Sequence, residues 1–374
     1  NNARTTISYS NVEMDDENDY FESDAGITAW GDGMLDIDPG FVDISTGDYR
    51  ILASSFLISA GHPDSTDVDG SRSDLGAHPY ETDNTGTVWY VSAEGSDSDG
   101  MGTESSPFKT IQAGINLASV GGTVTVAEGT YQENVIVRGK NLILSGSGKE
   151  STIIDANLSG SGIVATNLAS FNYNYGSIEN FTVRNLSIVN GVGRQAFGQP
   201  NGDNNPHGGA IYAFETETIY LKDLILADNS ARQGGAVAAQ DAKMTIDRVI
   251  MKHNTSFGKG SAIWFRGGEL IVNNSLIFQN YYQGDSENFN DNASALAFSS
   301  GFYKLINNTI ANNHGHPIWG FDQNPSVLLA NSILTWHDGQ GSRPNFTPTS
   351  PVNVYLFNNI IKRGINIGGV FNEY

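Results

Sequence analysis

The chain of 374 residues contains no cysteine, which excludes disulfides, thiolate metal sites and a cysteine nucleophile. Charge is scarce too: Asp, Glu, Lys and Arg make up 16% of the residues, against about 25% in an average soluble protein. Cations are nearly missing from the front, where residues 1–100 carry 21 Asp/Glu and 3 Lys/Arg. Phosphate contacts need cations, so such a front end argues against nucleic acid and anionic lipid as partners and favours divalent cations. No stretch reaches the ~18 apolar residues that would span a bilayer as a helix. P-loops, dinucleotide fingerprints, nucleophile elbows and zinc-type His spacings are likewise missing. The chain opens Asn1-Asn2-Ala3-Arg4 without Met or a signal-like segment and reads as a piece of a longer, extracellular or cell-surface precursor.

Glycine and asparagine are plentiful, at 43 and 38 residues. With so little charge they indicate turn-rich β structure, and the length allows a substantial core. The placement of these residues is periodic. Gly208-Gly209-Ala210-Ile211-Tyr212, Gly234-Gly235-Ala236-Val237-Ala238 and Gly260-Ser261-Ala262-Ile263-Trp264 start 26 residues apart. Ala293-Ser294-Ala295-Leu296 follows after 33, and His316-Pro317-Ile318-Trp319 reads as a degenerate fifth copy. A second column, Asn185, Asp223, Asp247, Asn274, Asn308, Asn331 and Asn359, recurs at intervals of 23 to 38. A third, Asn190, Asn229, Asn254, Asn280 and Asn313, closes the same turns.

A unit of about 25 residues with three short strands, and insertions absorbed at its corners, predicts an all-β right-handed parallel β-helix with asparagine ladders along its axis. Hairpins of a β-sandwich give no reason for a recurring Gly-Gly-Ala column. Val88–Val91 reads as the first strand of a β-helix over 88–374. Phe108, Ile111, Ile115 and Leu117 recur at helical spacing after Ser106-Pro107, which predicts a capping helix near 106–119. Residues 1–80 form a separate acidic segment, with 81–87 as a linker.

Two motifs carry a family resemblance. Trp89-Tyr90-Val91-Ser92 through Ile115, followed by Val124-Thr125-Val126-Ala127-Glu128-Gly129-Thr130-Tyr131, resembles the opening of the pectate-lyase-like right-handed β-helix superfamily, and the Gly-Gly-Ala-[Ile/Val] column is similar to repeats of polymorphic outer-membrane proteins. Asp36-Ile37-Asp38-Pro39-Gly40-Phe41, Gly47-Asp48-Tyr49-Arg50-Ile51 and Asp67-Val68-Asp69-Gly70-Ser71-Arg72-Ser73-Asp74 resemble the closing segment of choice-of-anchor Q type β-helix proteins. The resemblance places that segment last, whereas here it comes first. The superfamily includes lyases, hydrolases, adhesins and surface-layer components, so the likeness is informative for fold and poor for function.

A closing segment at the head suggests that it completes the tail of a neighbouring subunit, which yields a head-to-tail homopolymer. Ile7, Tyr9 and Asn11 share the cadence of Asn359 and Ile361, and together with Val370 they are the expected assembly residues. A piece of a longer tandem protein, or a head docked on its own solenoid, are the alternatives. For chemistry, Asp64, Asp67, Asp69 and Asp74 around Gly70 offer closely spaced oxygen ligands suited to Ca²⁺. Asp15, Asp16, Glu17 and Asp19 form a second acidic run. Tyr212, Trp264 and Trp319 follow inward-facing residues, so they are expected on one exposed column, with two tryptophans ~10 Å apart as a platform for a polysaccharide. A polysaccharide lyase needs a base on an exposed sheet; Arg232, Arg248, His253, Lys259, Arg266, His314, His316 and Asp322 are available, but no pairing singles one out. His207, Gln233 and Lys259 share a polar column, and Asp241 and Glu269 are too isolated for a glycosidase pair. Sequons occur at Asn157, Asn180, Asn185, Asn254, Asn273, Asn292, Asn307 and Asn345.

Overall fold

In a computed structural model, residues 3–13, 26–166, 178–193, 206–284, 293–320, 325–336, 345–346, 353–361, 366–367 and 371–373 are described. The chain divides into two units, one running to Thr125 and the other beginning at Val126.

The second unit is a right-handed parallel β-helix, and its strands pair turn upon turn in register. On one face the inward row is Ile163, Ile211, Val237, Ile263, Leu296 and Ile318. On the next it is Phe181, Ile219, Met244, Leu270, Tyr303, Val327 and Val354. Parallel strands joined by same-sense crossovers wind right-handed because the strands themselves twist that way. The rows alternate in and out with period two, and the inward side chains form the core. Tyr303 is fully buried: it stacks on Phe298 at 4.2 Å and meets Phe265 edge-on at 5.9 Å, and its hydroxyl donates to the Ser299 carbonyl.

The Gly-Gly-Ala column has a steric cause. Gly208, Gly234 and Gly260 hold φ of 57°, 66° and 69°, where a Cβ is strained. The glycine that follows faces a neighbouring turn: a Cβ on Gly209 would lie 2.3 Å from the Gly235 carbonyl oxygen, and one on Gly235 would lie 2.3 Å from that of Ser261.

The corners separate residues that look alike in the sequence. Each turns through a left-handed residue, and at several turns the side chain of the next residue bonds to the adjacent turn. At the first corner the left-handed residues are Asn185, Asp223, Arg248, Asn274, Asn307, Asn331 and Asn358. The ladder beside them includes Ser275, Asn308, Ser332 and Asn359: Ser275 N donates to Asn308 Oδ1 at 3.0 Å, Asn308 N to Ser332 Oγ at 3.1 Å, and Ser332 N to Asn359 Oδ1 at 2.9 Å. The single column expected at Asn274, Asn308, Asn331 and Asn359 thus resolves into two neighbouring positions, and Asp247 lies just ahead of both. The cause is that Asn tolerates the left-handed region and also satisfies backbone groups. At the second corner, Asn229, Asn254, Asn280 and Asn313 form a buried ladder in which each Nδ2 donates to the next Oδ1 at 3.0, 2.9 and 2.8 Å. Asn190 stands outside it, left-handed and bonded to Asp155, while Gly191 N donates to Asn229 Oδ1 instead.

In the first unit the helix is α1, Ile111–Leu117, shorter than the span 106–119 and capped by Thr110, whose hydroxyl accepts from Ala113 N at 3.2 Å. Its start is delayed because Phe108 is drawn into extended pairing with Val91 and stacks on Trp89 at 6.0 Å. Buried Asp97 then fixes the turn by accepting from the Lys109 and Thr110 amides and the Thr110 hydroxyl.

Residues 1–80 do not stand apart from this opening turn. Ala53 N donates to Asp97 O at 2.8 Å, Asn116 Nδ2 to the Ala53 and Ser55 carbonyls, and the Tyr80 hydroxyl to Gly100 O at 2.6 Å. The stretch expected as a linker is held likewise, with Thr82 Oγ1 donating to Met101 O at 2.8 Å. Leu35, Ile51, Leu57 and Ala60 make a small core of their own, flanked by Tyr9, Ile37, Phe41 and Tyr80. Ahead of it, β1 (Ala3–Ile7) and β2 (Gly26–Trp30) pair in parallel.

Candidate functional site

Successive strands bring Val164, Tyr212, Ala238, Trp264, Ala297 and Trp319 into one column, in the order the repeat implies. The expectation that Tyr212 and Trp264 lie exposed is corrected by the structure: they are 9% and 4% accessible and belong to one buried cluster. Two features close it. Alanines alternate with the large rings, leaving hollows that the rings fill. His207 then lies nearly parallel to both rings, 5.7 Å from Tyr212 and 5.1 Å from Trp264. Trp319 is only half-buried, with the His316 ring 4.9 Å away. The polar column His207, Gln233 and Lys259 is real, since His207 bridges Gln233 and Gly234 N donates to Lys259 O at 3.1 Å. Sequence reasoning missed that His207 belongs to the aromatic column as well. The signal was its position just ahead of Gly208, where the backbone turns left-handed.

Of the candidate bases, Arg248 and His253 are engaged with other groups. Arg248 donates to Asp223 Oδ1 at 2.7 Å and Oδ2 at 2.8 Å and to Asp247; these acceptors hold its guanidinium above its usual range, which suits a strut and not a Brønsted base. His253 lies 3.6 Å from Asp228 and 3.2 Å from Gln279 Oε1. Lys304 pairs with Glu269 at 3.3 Å, and Gln240 reaches Asp241 at 3.3 Å. Asp322 falls outside the described residues.

Asp64, Asp67, Asp69 and Asp74 share a loop but do not converge. Asp67 Oδ2 accepts from Asp74 N, and Asp69 Oδ1 from the Ser71 amide and hydroxyl. Asp74 accepts from Ser59 N at 2.7 Å and Tyr80 N at 2.8 Å. Asp64 points to solvent beside His62. Asp67, Asp69 and Asp74 satisfy local N–H groups and fasten the loop, and among the described residues no group of three His, Asp or Glu is placed to hold a metal ion. The run Asp15 to Asp19 falls outside the described residues.

Burial pushes the Asp74 carboxyl up to about 6, with Asp67 and Asp69 adding to the rise. Since the folded value lies above the unfolded one, the stabilisation is complete below the unfolded value of 3.8 and is lost as pH rises through about 6. Discounted for partial solvent access, the loss is about 1–2 kcal/mol. Hydrogen exchange at the Ser59 and Tyr80 amides, corrected for intrinsic rate, is expected to quicken between about pH 5 and 7, a window of about one unit on either side of that value. Flat protection would show that Asp74 stays ionised throughout.

The sequons divide by burial. Asn254 is closed to modification in the folded chain, because it is fully buried and its amide bonds to Leu226 O and Asn280 Oδ1. Asn157, Asn180 and Asn307 are exposed, and Asn185 and Asn273 are partly buried. Asn292 and the side chain of Asn345 fall outside the described residues. Of the assembly residues, Ile7 pairs with Trp30, the Asn11 amide bonds to both backbone groups of Ile37, and Asn359 Nδ2 donates to Leu329 O at 2.8 Å. Ile361 pairs with Leu334, Tyr9 packs on the small core beside His62, and Val370 falls outside the described residues.

No family model matches the chain, and no curated protein does either. Among solved structures it is similar to a rhamnogalacturonan lyase at 14% identity, with 73% of each chain covered and a TM-score of 0.46. It is similar to XylC in complex with xylose at 12% identity, covering 77% of this chain and 70% of the other, with a TM-score of 0.42. A carrot pectin methylesterase aligns at 12% identity over 79% and 90%, with a TM-score of 0.37. Such likeness says nothing of activity. Among the described residues no helix is long and apolar enough to cross a membrane.

Proposed function

We propose that the chain is a structural β-helix, part of an extracellular or cell-surface protein that joins head-to-tail with copies of itself. The observation that carries this reading is the use of the corners. From Gly191 to Asn313, and again from Val249 to Asn359, side chains bond turn to turn along the axis. Such bonds resist separation of turns and contribute nothing to a ligand site. The exposed sequons at Asn157, Asn180 and Asn307 suit a glycosylated surface. Incubation with pectate, alginate and other uronates, followed by absorbance of unsaturated products, is expected to show no turnover; clear turnover overturns the structural reading.

A second reading, a polysaccharide-binding or polysaccharide-cleaving β-helix, is favoured by Trp319. It is the half-buried ring at the end of the aromatic column, so part of its apolar surface is open to a sugar face. On this reading Trp319→Ala weakens retardation in glycan affinity gels about tenfold, a loss of about 1.4 kcal/mol. Equal mobility of wild type and variant in every glycan gel removes it.

A further inference from the structure

We infer that the cavity lined by residues 50–51, 78–81 and 98–101 is a binding site for an amino sugar, which it takes through the ammonium group and the hydroxyls of one ring. The cavity lies wholly in the first unit and shares no residue with the aromatic column, so the inference goes beyond both readings of the solenoid.

The first observation is that the cavity is preformed. Its volume is about 350 Å³, within the range of small-molecule sites. Its walls are tied to each other without any ligand. The Tyr80 hydroxyl donates to Gly100 O at 2.6 Å and the Tyr80 amide to Asp74 Oδ2 at 2.8 Å. The Tyr80 ring meets Phe108 edge-on at 6.2 Å and packs on the small core that contains Ile51. A cavity fixed in this way loses little conformational freedom when it is filled.

The second observation is its charge. Arg50 donates from Nε and Nη2 to Asp48 at 3.0 and 2.8 Å, and from Nη1 to Asp99 at 3.4 Å. Asp99 also accepts from Ser98 Oγ at 2.7 Å. These donors hold both carboxyls below the usual carboxylate range, Asp48 through Arg50 and Asp99 through Ser98 first and Arg50 second. Glu81 adds a third carboxylate, exposed and without a hydrogen bond among the described residues. Three carboxylates against one guanidinium repel an anion and attract a cation.

The third observation selects the cation. Arg50 uses three of its five N–H groups on Asp48 and Asp99, which leaves two to donate, and the His78 ring on the same wall can also hydrogen-bond. A plain alkylammonium would match Asp99 and Glu81 but would cover these groups without a partner, a desolvation cost that lowers affinity. Hydroxyls on a sugar ring satisfy them, while the ring's C–H face can rest on the apolar parts of Pro79 and Met101. A neutral sugar, in turn, leaves the excess negative charge unmatched. An amino sugar carries the ammonium and the hydroxyls on one ring and meets both demands.

Saturation-transfer NMR titrations of the full chain test this. Glucosamine is expected to bind at least about tenfold more tightly than glucose, N-acetylglucosamine or cyclohexylamine. Glu81→Gln and Asp99→Asn are each expected to weaken glucosamine about tenfold with an unchanged circular-dichroism spectrum. Glu94→Gln removes an exposed carboxyl outside the cavity and is expected to bind like wild type. Absence of binding up to about 10 mM glucosamine overturns the inference. Equal affinity for glucose or N-acetylglucosamine overturns the role of the ammonium and the inference with it, and equal affinity for cyclohexylamine does the same for the sugar. A loss in Glu94→Gln as large as that in Glu81→Gln shows diffuse attraction and also overturns it. Should Asp99→Asn misfold, Glu81→Gln decides, because Glu81 fastens nothing: unchanged affinity overturns the inference and a tenfold loss supports it. Turnover of uronates would defeat the structural reading and leave this result unaffected.

Discussion

Asn254→Ala is expected to destabilise the solenoid by about 4 kcal/mol, because it takes hydrogen-bond partners from several buried polar groups at once. The amide of Asn254 donates to Leu226 O and Asn280 Oδ1, and its oxygen accepts from the Asn229 amide and side chain at 3.2 and 3.0 Å. Truncation removes the side-chain partner of Leu226 O and the acceptor of Asn229 N where water has no access, and leaves Asn229 Nδ2 with the Ile188 and Ala227 carbonyls alone. The corner cannot relax towards solvent, since Asn280 and Asn313 continue the same ladder beneath it. Asn190→Gly is the control. Asn190 is left-handed and only partly buried, and its side chain bonds to Asp155 alone among the described residues. Glycine keeps the backbone conformation, so the expected cost is about 1 kcal/mol. Urea unfolding of both variants checks the contrast; similar midpoints would mean that the ladder contributes no more than an exposed hydrogen bond.

Gly235→Ala is expected to cost more than about 3 kcal/mol or to prevent folding of the solenoid. The new methyl carbon would lie 2.3 Å from Ser261 O, 2.5 Å from Thr255 O and 2.8 Å from Thr255 C, all of them backbone. Relief requires separating two turns, which breaks the bonds from Gly235 N to Gly260 O and from Val237 N to Ala262 O. Gly148→Ala meets only the end of a side chain, Ser151 Oγ at 2.9 Å, at a backbone without positive φ, and is expected to change stability by less than about 1 kcal/mol. Soluble yield and thermal midpoint of the two alanine variants provide the measurement. A Gly235→Ala protein that melts like Gly148→Ala would show that the turns have slack.

The candidate sites were less legible than the fold, and the residues show why. Alternation correctly turned Trp264 away from the core row of Ile263, but alternation describes one strand and its immediate neighbours. Whether the outer face is wet depends on His207, 57 positions earlier in the chain. The aspartates of residues 64–74 had the spacing of ligands, yet close spacing in a turn serves backbone N–H groups equally well, and the structure uses them that way.

By itself the sequence determined the parallel solenoid, its turn of about 25 residues and the inward rows, because these follow from local chirality, period-two alternation and the intolerance of Cβ atoms in the Gly-Gly-Ala column. Tertiary structure alone decided which of two adjacent asparagines is left-handed and which forms the ladder, since both demands select the same side chain. It also decided where α1 begins, because Asp97 and Trp89 compete with helix formation for residues 108–110. The same holds for the docking of the head on its own first turn: that contact joins Ala53, Ser55 and Tyr80 to Asp97, Gly100 and Asn116, and no periodicity along the chain encodes a meeting of segments that do not repeat.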